Sequence, residues 1–179
     1  TAAGDQTRPA VAMAPDGRAV VAWLDESTGT VMARPYSAAG VAGAAIPVAS
    51  TPTIATPAVA LDWNGNFVVA WINATEVKVQ RSTAAGAALG GVIVTNAVTG
   101  LGEVAVARAR NGDFVVAYSG SDGSEGVFAR RFGQNGTPRD AGFTVASFSG
   151  LPKLPAVAAD EHWDFTVAWA DPAADGAGA

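Results

Sequence analysis

One pattern recurs four times along the chain, and nothing else constrains the fold as strongly. It runs Pro9-Ala-Val-Ala-Met-Ala-Pro-Asp-Gly-Arg-Ala-Val-Val-Ala-Trp23, then Pro57-Ala-Val-Ala-Leu-Asp-Trp-Asn-Gly-Asn-Phe-Val-Val-Ala-Trp71. The third copy is Glu103-Val-Ala-Val-Ala-Arg-Ala-Arg-Asn-Gly-Asp-Phe-Val-Val-Ala-Tyr118, and the fourth is Pro155-Ala-Val-Ala-Ala-Asp-Glu-His-Trp-Asp-Phe-Thr-Val-Ala-Trp169. The closing aromatics lie 48, 47 and 51 residues apart. Self-similarity at this period is the mark of a repeat architecture with one supersecondary unit per copy.

Each copy reads as a hairpin. A strand such as 10–14 meets an Asp-Gly or Asn-Gly turn and returns as a strand such as 19–23, because those glycines supply the positive φ that tight turns need. The fourth copy has Trp163 where the others carry Gly17, Gly65 and Gly112, which predicts a longer or differently shaped turn. A third strand follows at 31–34, 77–80 and 127–130. There Val31, Val77 and Val127 alternate with Met32, Lys78 and Phe128 at a strand's period of two. Gly-rich loops lead to fourth strands at 46–49, 92–95 and 143–146.

The expectation is an all-β protein, a β-propeller of four-stranded antiparallel blades with about three and a half blades in this chain. It forms a single domain over 1–179, with repeats near 7–54, 55–100, 101–152 and an incomplete 153–179. Inner strands such as Phe67-Val-Val-Ala-Trp71 are apolar on both faces, as a sheet covered on both sides requires. Alternating Ala lets sheets approach, while Trp23, Trp71, Tyr118 and Trp169 are expected to fill the space between them. Three blades and a hairpin do not close a ring. More chain, or a partner protein, is therefore expected to cover the open faces.

The pattern Pro-Ala-Val-Ala-x-x-x-x-Gly-x-Phe-Val-Val-Ala-Trp resembles repeats of bacterial secreted and surface β-propeller proteins. The resemblance covers nearly the whole chain and implies an extracytoplasmic, secreted or cell-surface protein. Asp62-Trp-Asn-Gly-Asn-Phe67 is also similar to the Asp-box hairpin of sialidases, but the preceding Ser and the strict spacing are missing, so no sialidase role is carried over.

Composition narrows the chemistry. The net charge is −5 with 11 Lys plus Arg, and no basic stripe is present to track phosphates, so nucleic acid is not an expected partner. No apolar run reaches the roughly 18–20 residues of a membrane span. There is no Cys and a single His, His162, which excludes thiolate nucleophiles, His-based triads and two-His metal sites made from this chain alone. His162 reads as a solvated turn residue, and no cofactor is expected.

Two sets of residues remain as candidates for ligand binding. Trp63 and Trp163 stand in first-hairpin turns, where a ring could stack on a sugar or anchor a partner, or simply pack on a neighbouring loop. Asp25, Glu26, Glu76, Asp122, Glu125 and Asp171 follow the closing aromatics. They could line one face and hold a cation or sugar hydroxyls, or serve only as solvated loop acids. Whether a metal binds there is left open. The favoured reading is a non-catalytic carbohydrate- or surface-binding module, possessing no active site of its own. The alternatives are a structural subunit of an extracellular assembly and, more remotely, a glycan-active hydrolase or lyase using Asp122 or Glu125.

Overall fold

The computed structural model describes residues 4–50, 56–74, 76–97, 99–100, 102–121, 123–148, 153–160 and 162–170. Among them there are strands and turns but no helix. The first sheet holds β1 (Gln6–Met13), β2 (Ala19–Asp25), β3 (Thr30–Tyr36) and β4 (Ile46–Ser50). The second holds β5 (Ala58–Leu61), β6 (Phe67–Asn73), β7 (Glu76–Ser82) and β8 (Ile93–Ala97). The third is β9 (Val104–Arg108), β10 (Phe114–Ser121), β11 (Glu125–Phe132) and β12 (Phe143–Phe148), and a hairpin of β13 (Lys153–Ala159) and β14 (Phe165–Ala170) follows. Each sheet is an antiparallel meander in which every strand pairs with its sequence neighbour.

The first hairpins close as the glycines dictate. Gly65 N–H donates to the Asp62 carbonyl at 3.0 Å, and Asp62 N–H donates to the Asn66 carbonyl at 2.9 Å. This is a three-residue loop, a tight turn followed by one left-handed residue. Gly65 has φ 79°, and a Cβ there would sit 2.6 Å from the Arg18 guanidinium, so both conformation and space call for glycine. Residues 14–18 and 109–113 repeat the same two bonds.

The fourth copy corrects the expectation of a longer or different turn. Asp160 N–H donates to the Asp164 carbonyl at 2.9 Å, so the loop has the same length, and Trp163 itself takes the left-handed conformation at φ 76°. Its ring packs on the apolar cluster of the third sheet, with Ala107, Val115, Ala117 and Ala129, which helps a bulky residue hold a backbone it disfavours.

Successive sheets stack face to face, with their contacts concentrated on first and second strands. Three interfaces repeat one scheme. Ala10, Ala12, Val20, Ala22 and Leu24 of the first sheet receive Val59, Leu61, Phe67, Val69 and Trp71 of the second. Ala60, Val68, Ala70 and Ile72 receive Val106, Phe114, Val116 and Tyr118 of the third. Ala107, Val115 and Ala117 receive Val157, Phe165 and Val167 of the hairpin. Small residues on one face thus admit large ones from the next, which removes most of the apolar surface from water.

The four closing aromatics do not share one environment, contrary to expectation. Trp71 and Tyr118 are buried between sheets, and Tyr118 stacks on Phe128 at 5.8 Å. Trp23 is only half-buried, because among the described residues no sheet packs over its face of the first one; its indole Nε1 donates to Gln6 Oε1 and Arg34 lies over its ring. Trp169 is 38% exposed beside Phe148.

Candidate functional site

In a meander the first-hairpin turns all leave one end of their sheets, and the β2–β3-type loops leave the other. That geometry separates the two sets of candidate residues. Asp25, Glu26, Glu76 and Glu125 lie at the β2–β3 end, while Trp63 and Trp163 lie at the first-hairpin end; Asp122 and Asp171 fall outside the described residues.

The acids that are described have local partners. Asp25 Oδ1 accepts from the Ser27 hydroxyl at 2.6 Å and the Ser27 amide at 3.1 Å, and this hydroxyl bond above all holds its carboxyl below the usual range. Glu26 accepts from the Thr7 hydroxyl at 2.7 Å, and Glu76 pairs with Lys78 at 3.1 Å. Glu125 begins β11 and is half-buried. Among the described residues, no three His, Cys, Asp or Glu side chains stand close enough together to hold a metal ion. His162 is exposed, and its backbone N–H donates to Asp160 at 2.9 Å.

The first-hairpin end carries the more developed site. Trp63 is 48% exposed, and the Arg110 guanidinium lies over its ring, 3.8 Å from the centroid. Together with Asn64 and Asn111 they line a cleft of about 490 Å³. Arg18 fixes the loop from the neighbouring sheet, donating to the Trp63 carbonyl at 2.7 Å and the Asn64 carbonyl at 2.5 Å. Trp163, by contrast, is turned onto the third sheet and offers no comparable open ring.

A smaller cavity of about 200 Å³ adjoins this cleft through Trp63 and Arg110. Its walls come from equivalent positions of all four copies. Met13, Leu61, Arg108 and Ala159 stand four residues before Gly17, Gly65, Gly112 and Trp163, and Ala14, Asp62 and Asp160 come one residue later. The first-hairpin turns therefore converge on one point.

A buried ion pair marks that point. Arg108 Nη2 lies 3.1 Å from Asp62 Oδ2, with the two side chains 2% and 4% exposed. Arg108 Nε donates to the Gly112 carbonyl at 3.0 Å, whereas its Nη1 is buried with no hydrogen-bond partner among the described residues. Asp62 also accepts from the amides of Asn64 at 2.8 Å and Asn66 at 3.0 Å. Burial pushes the Arg108 pKa down and the Asp62 charge opposes it; a guanidinium keeps its proton at neutral pH all the same. The sequence signal for this site was a column, not a motif: an Arg where the other copies have Met, Leu and Ala, facing an Asp contributed by the preceding copy.

Comparison with known proteins adds to this geometry. No protein-family model and no curated protein matches the chain. Solved structures do. A glycosyl hydrolase from Bacteroides ovatus superposes with TM-score 0.46 at 14% identity, over 87% of this chain and 57% of that one. A candidate glycoside hydrolase from the same species gives TM-score 0.52 at 12% identity, over 93% of this chain and 61% of that one. The second shares the fold. A DUF4623 family protein from Bacteroides eggerthii gives 0.47 at 15% identity, over 88% of this chain and 36% of that one. This chain thus spans about three fifths of the length of the two Bacteroides ovatus proteins. No helix of the structure is long and apolar enough to cross a membrane among the described residues.

Proposed function

We propose that the chain is an arc of β-propeller blades serving as a non-catalytic, extracytoplasmic carbohydrate-binding module. The blade reading is supported by successive four-stranded meanders stacked through their first strands, and by first-hairpin turns meeting at a common point. The binding reading rests on one observation: an exposed Trp63 ring in a cleft with Arg110, Asn64 and Asn111. An aromatic face among amide and guanidinium groups matches a sugar's mixture of C–H faces and hydroxyls, and the cleft volume lies within the roughly 300–1,000 Å³ of small-ligand sites. The names of the two Bacteroides ovatus structures direct the ligand search to glycans. Binding rather than hydrolysis is favoured because both acids of the adjoining cavity are engaged, Asp62 by Arg108 and turn amides and Asp160 by the His162 and Asp164 amides, and the acids of the β2–β3 end lie away from it. Likeness to secreted repeat proteins supports the extracytoplasmic placement.

The test is titration with neutral and acidic oligosaccharides, followed by calorimetry and tryptophan fluorescence. Trp63→Ala should weaken binding at least about tenfold, or 1.4 kcal/mol, while leaving the unfolding midpoint unchanged. A wild-type chain that binds none of these glycans, or a Trp63→Ala chain that binds as well, would refute the proposal.

A further inference from the structure

The smaller cavity beside the Trp63 cleft, about 200 Å³ in volume, combines two kinds of wall. Met13, Pro15, Leu61 and Ala159 give it apolar surface, while Asp62, Arg108, Arg110 and Asp160 give it polar groups. Its size falls below the roughly 300–1,000 Å³ of a whole small-ligand site, so it suits one substituent of a larger ligand. Trp63 and Arg110 line both spaces, which puts that substituent within reach of a ring stacked on the indole.

Two observations define the substituent. The described walls hold two guanidinium groups and two carboxylates, so formal charge is balanced and an added ion would be left uncompensated. The same walls have a donor to spare. Arg108, 2% exposed in its side chain, spends Nη2 on Asp62 and Nε on the Gly112 carbonyl, and its Nη1 is buried with no acceptor among the described residues. A buried donor of this kind calls for an acceptor. The group that answers both is neutral, carries an acceptor and has apolar surface to set against Leu61 and Ala159.

We infer that this cavity is a subsite for the acetamido group of a 2-acetamido sugar whose pyranose ring stacks on Trp63. The carbonyl accepts from Arg108 Nη1, and the methyl packs against Leu61 and Ala159. The amide N–H donates to the Asp160 carboxylate, whose Oδ1 takes the His162 and Asp164 amides and which has acceptor capacity left. A hydroxyl in place of the acetamido group would leave the apolar wall in water, and a carboxylate would meet Asp62 and Asp160. The inference rests on the reading of the cleft as a glycan site and narrows it to N-acetylated sugars.

The test is calorimetry of this chain with tetrasaccharides of N-acetylglucosamine and N-acetylgalactosamine, each compared with those of glucose, galactose and glucuronic acid. At least one N-acetylated tetrasaccharide should bind about tenfold tighter than every unacetylated one. Ala159→Leu installs the residue that the second copy carries as Leu61 and fills the cavity. It should bring N-acetylated sugars down to the affinity of the unacetylated ones. Arg108→Lys keeps a cation for Asp62 without the Nη1 donors and should lower the preference as well, with far-UV circular dichroism confirming that both variants fold. Equal binding of acetylated and unacetylated sugars overturns the inference and leaves the Trp63 cleft a glycan site. A preference that survives Ala159→Leu overturns it too, because the acetamido group then lies elsewhere, as does tighter binding of the glucuronic acid oligomer. Binding of none of these sugars removes the cleft reading and this inference together.

Discussion

Replacing Asp62 should expose how much the convergence point depends on its buried ion pair. Asp62→Ala removes the carboxylate paired with the Arg108 Nη2 and leaves a guanidinium, 2% exposed in its side chain, with the Gly112 carbonyl as its remaining hydrogen-bond acceptor among the described residues and the Asp113 charge nearby. Breaking a buried pair from one side costs about 3–5 kcal/mol, against total stabilities of about 5–15 kcal/mol. Lost acceptance from the Asn64 and Asn66 amides adds about 1 kcal/mol. Arg108→Leu should cost less, about 1–3 kcal/mol, since the carboxylate keeps those amide donors. The double variant Asp62→Ala/Arg108→Leu installs the residue types that other copies carry, Ala14 and Leu61. Apolar replacement of a whole buried pair is often neutral or better, so the second substitution should restore at least about 2 kcal/mol to the first. Urea unfolding followed by tryptophan fluorescence measures all three. At about 2–4 °C per kcal/mol for a chain of this length, Asp62→Ala alone should melt about 8–24 °C below wild type. If the double variant is no more stable than Asp62→Ala, the two side chains are not energetically coupled and the reasoning is refuted.

Two further outcomes follow from the turns. Trp163→Gly should be more stable than Trp163→Ala by about 1 kcal/mol in the same urea assay, since both lose the ring and only Gly accepts φ 76° without strain; equal stabilities would remove the strain argument. Asp140 accepts from Arg131 Nε at 2.7 Å and the Gly142 amide at 3.0 Å; burial opposes ionisation, yet these partners hold its pKa below 3.8. Its folded value being lower than its unfolded one, the stabilisation is complete above about pH 4 and is lost as pH falls through the folded value. With Arg131 41% exposed, the contribution is under about 1 kcal/mol, and Asp140→Asn should flatten the acid limb of stability against pH by that amount.

Much of the architecture was legible because it is written repeatedly. Gly17, Gly65 and Gly112 announce three identical turns, and Ala-Val alternation announces strands covered on both faces. What was not legible depends on neighbours in space. Trp23 and Trp71 hold the same repeat position, yet among the described residues only Trp71 of the two is covered by another sheet. Trp163 was misread because Gly is the easy residue for a left-handed position, not the only one that packing onto Ala107, Val115 and Ala117 can support. The Arg108–Asp62 pair joins different copies, so no local stretch contains it. The acids after the closing aromatics looked like a collective, but Asp25, Glu26 and Glu76 each have a near neighbour to satisfy them.

Arg18 grips the carbonyls of Trp63 and Asn64, and Arg81 grips that of Gln134 at 3.0 Å, rather than any side chain of the adjoining sheet. Every residue type presents a carbonyl. Rim positions such as 63 and 64 can therefore exchange their side chains without unfastening one sheet from the next. The chemistry at the mouth of the cleft can vary while the scaffold beneath keeps its grip.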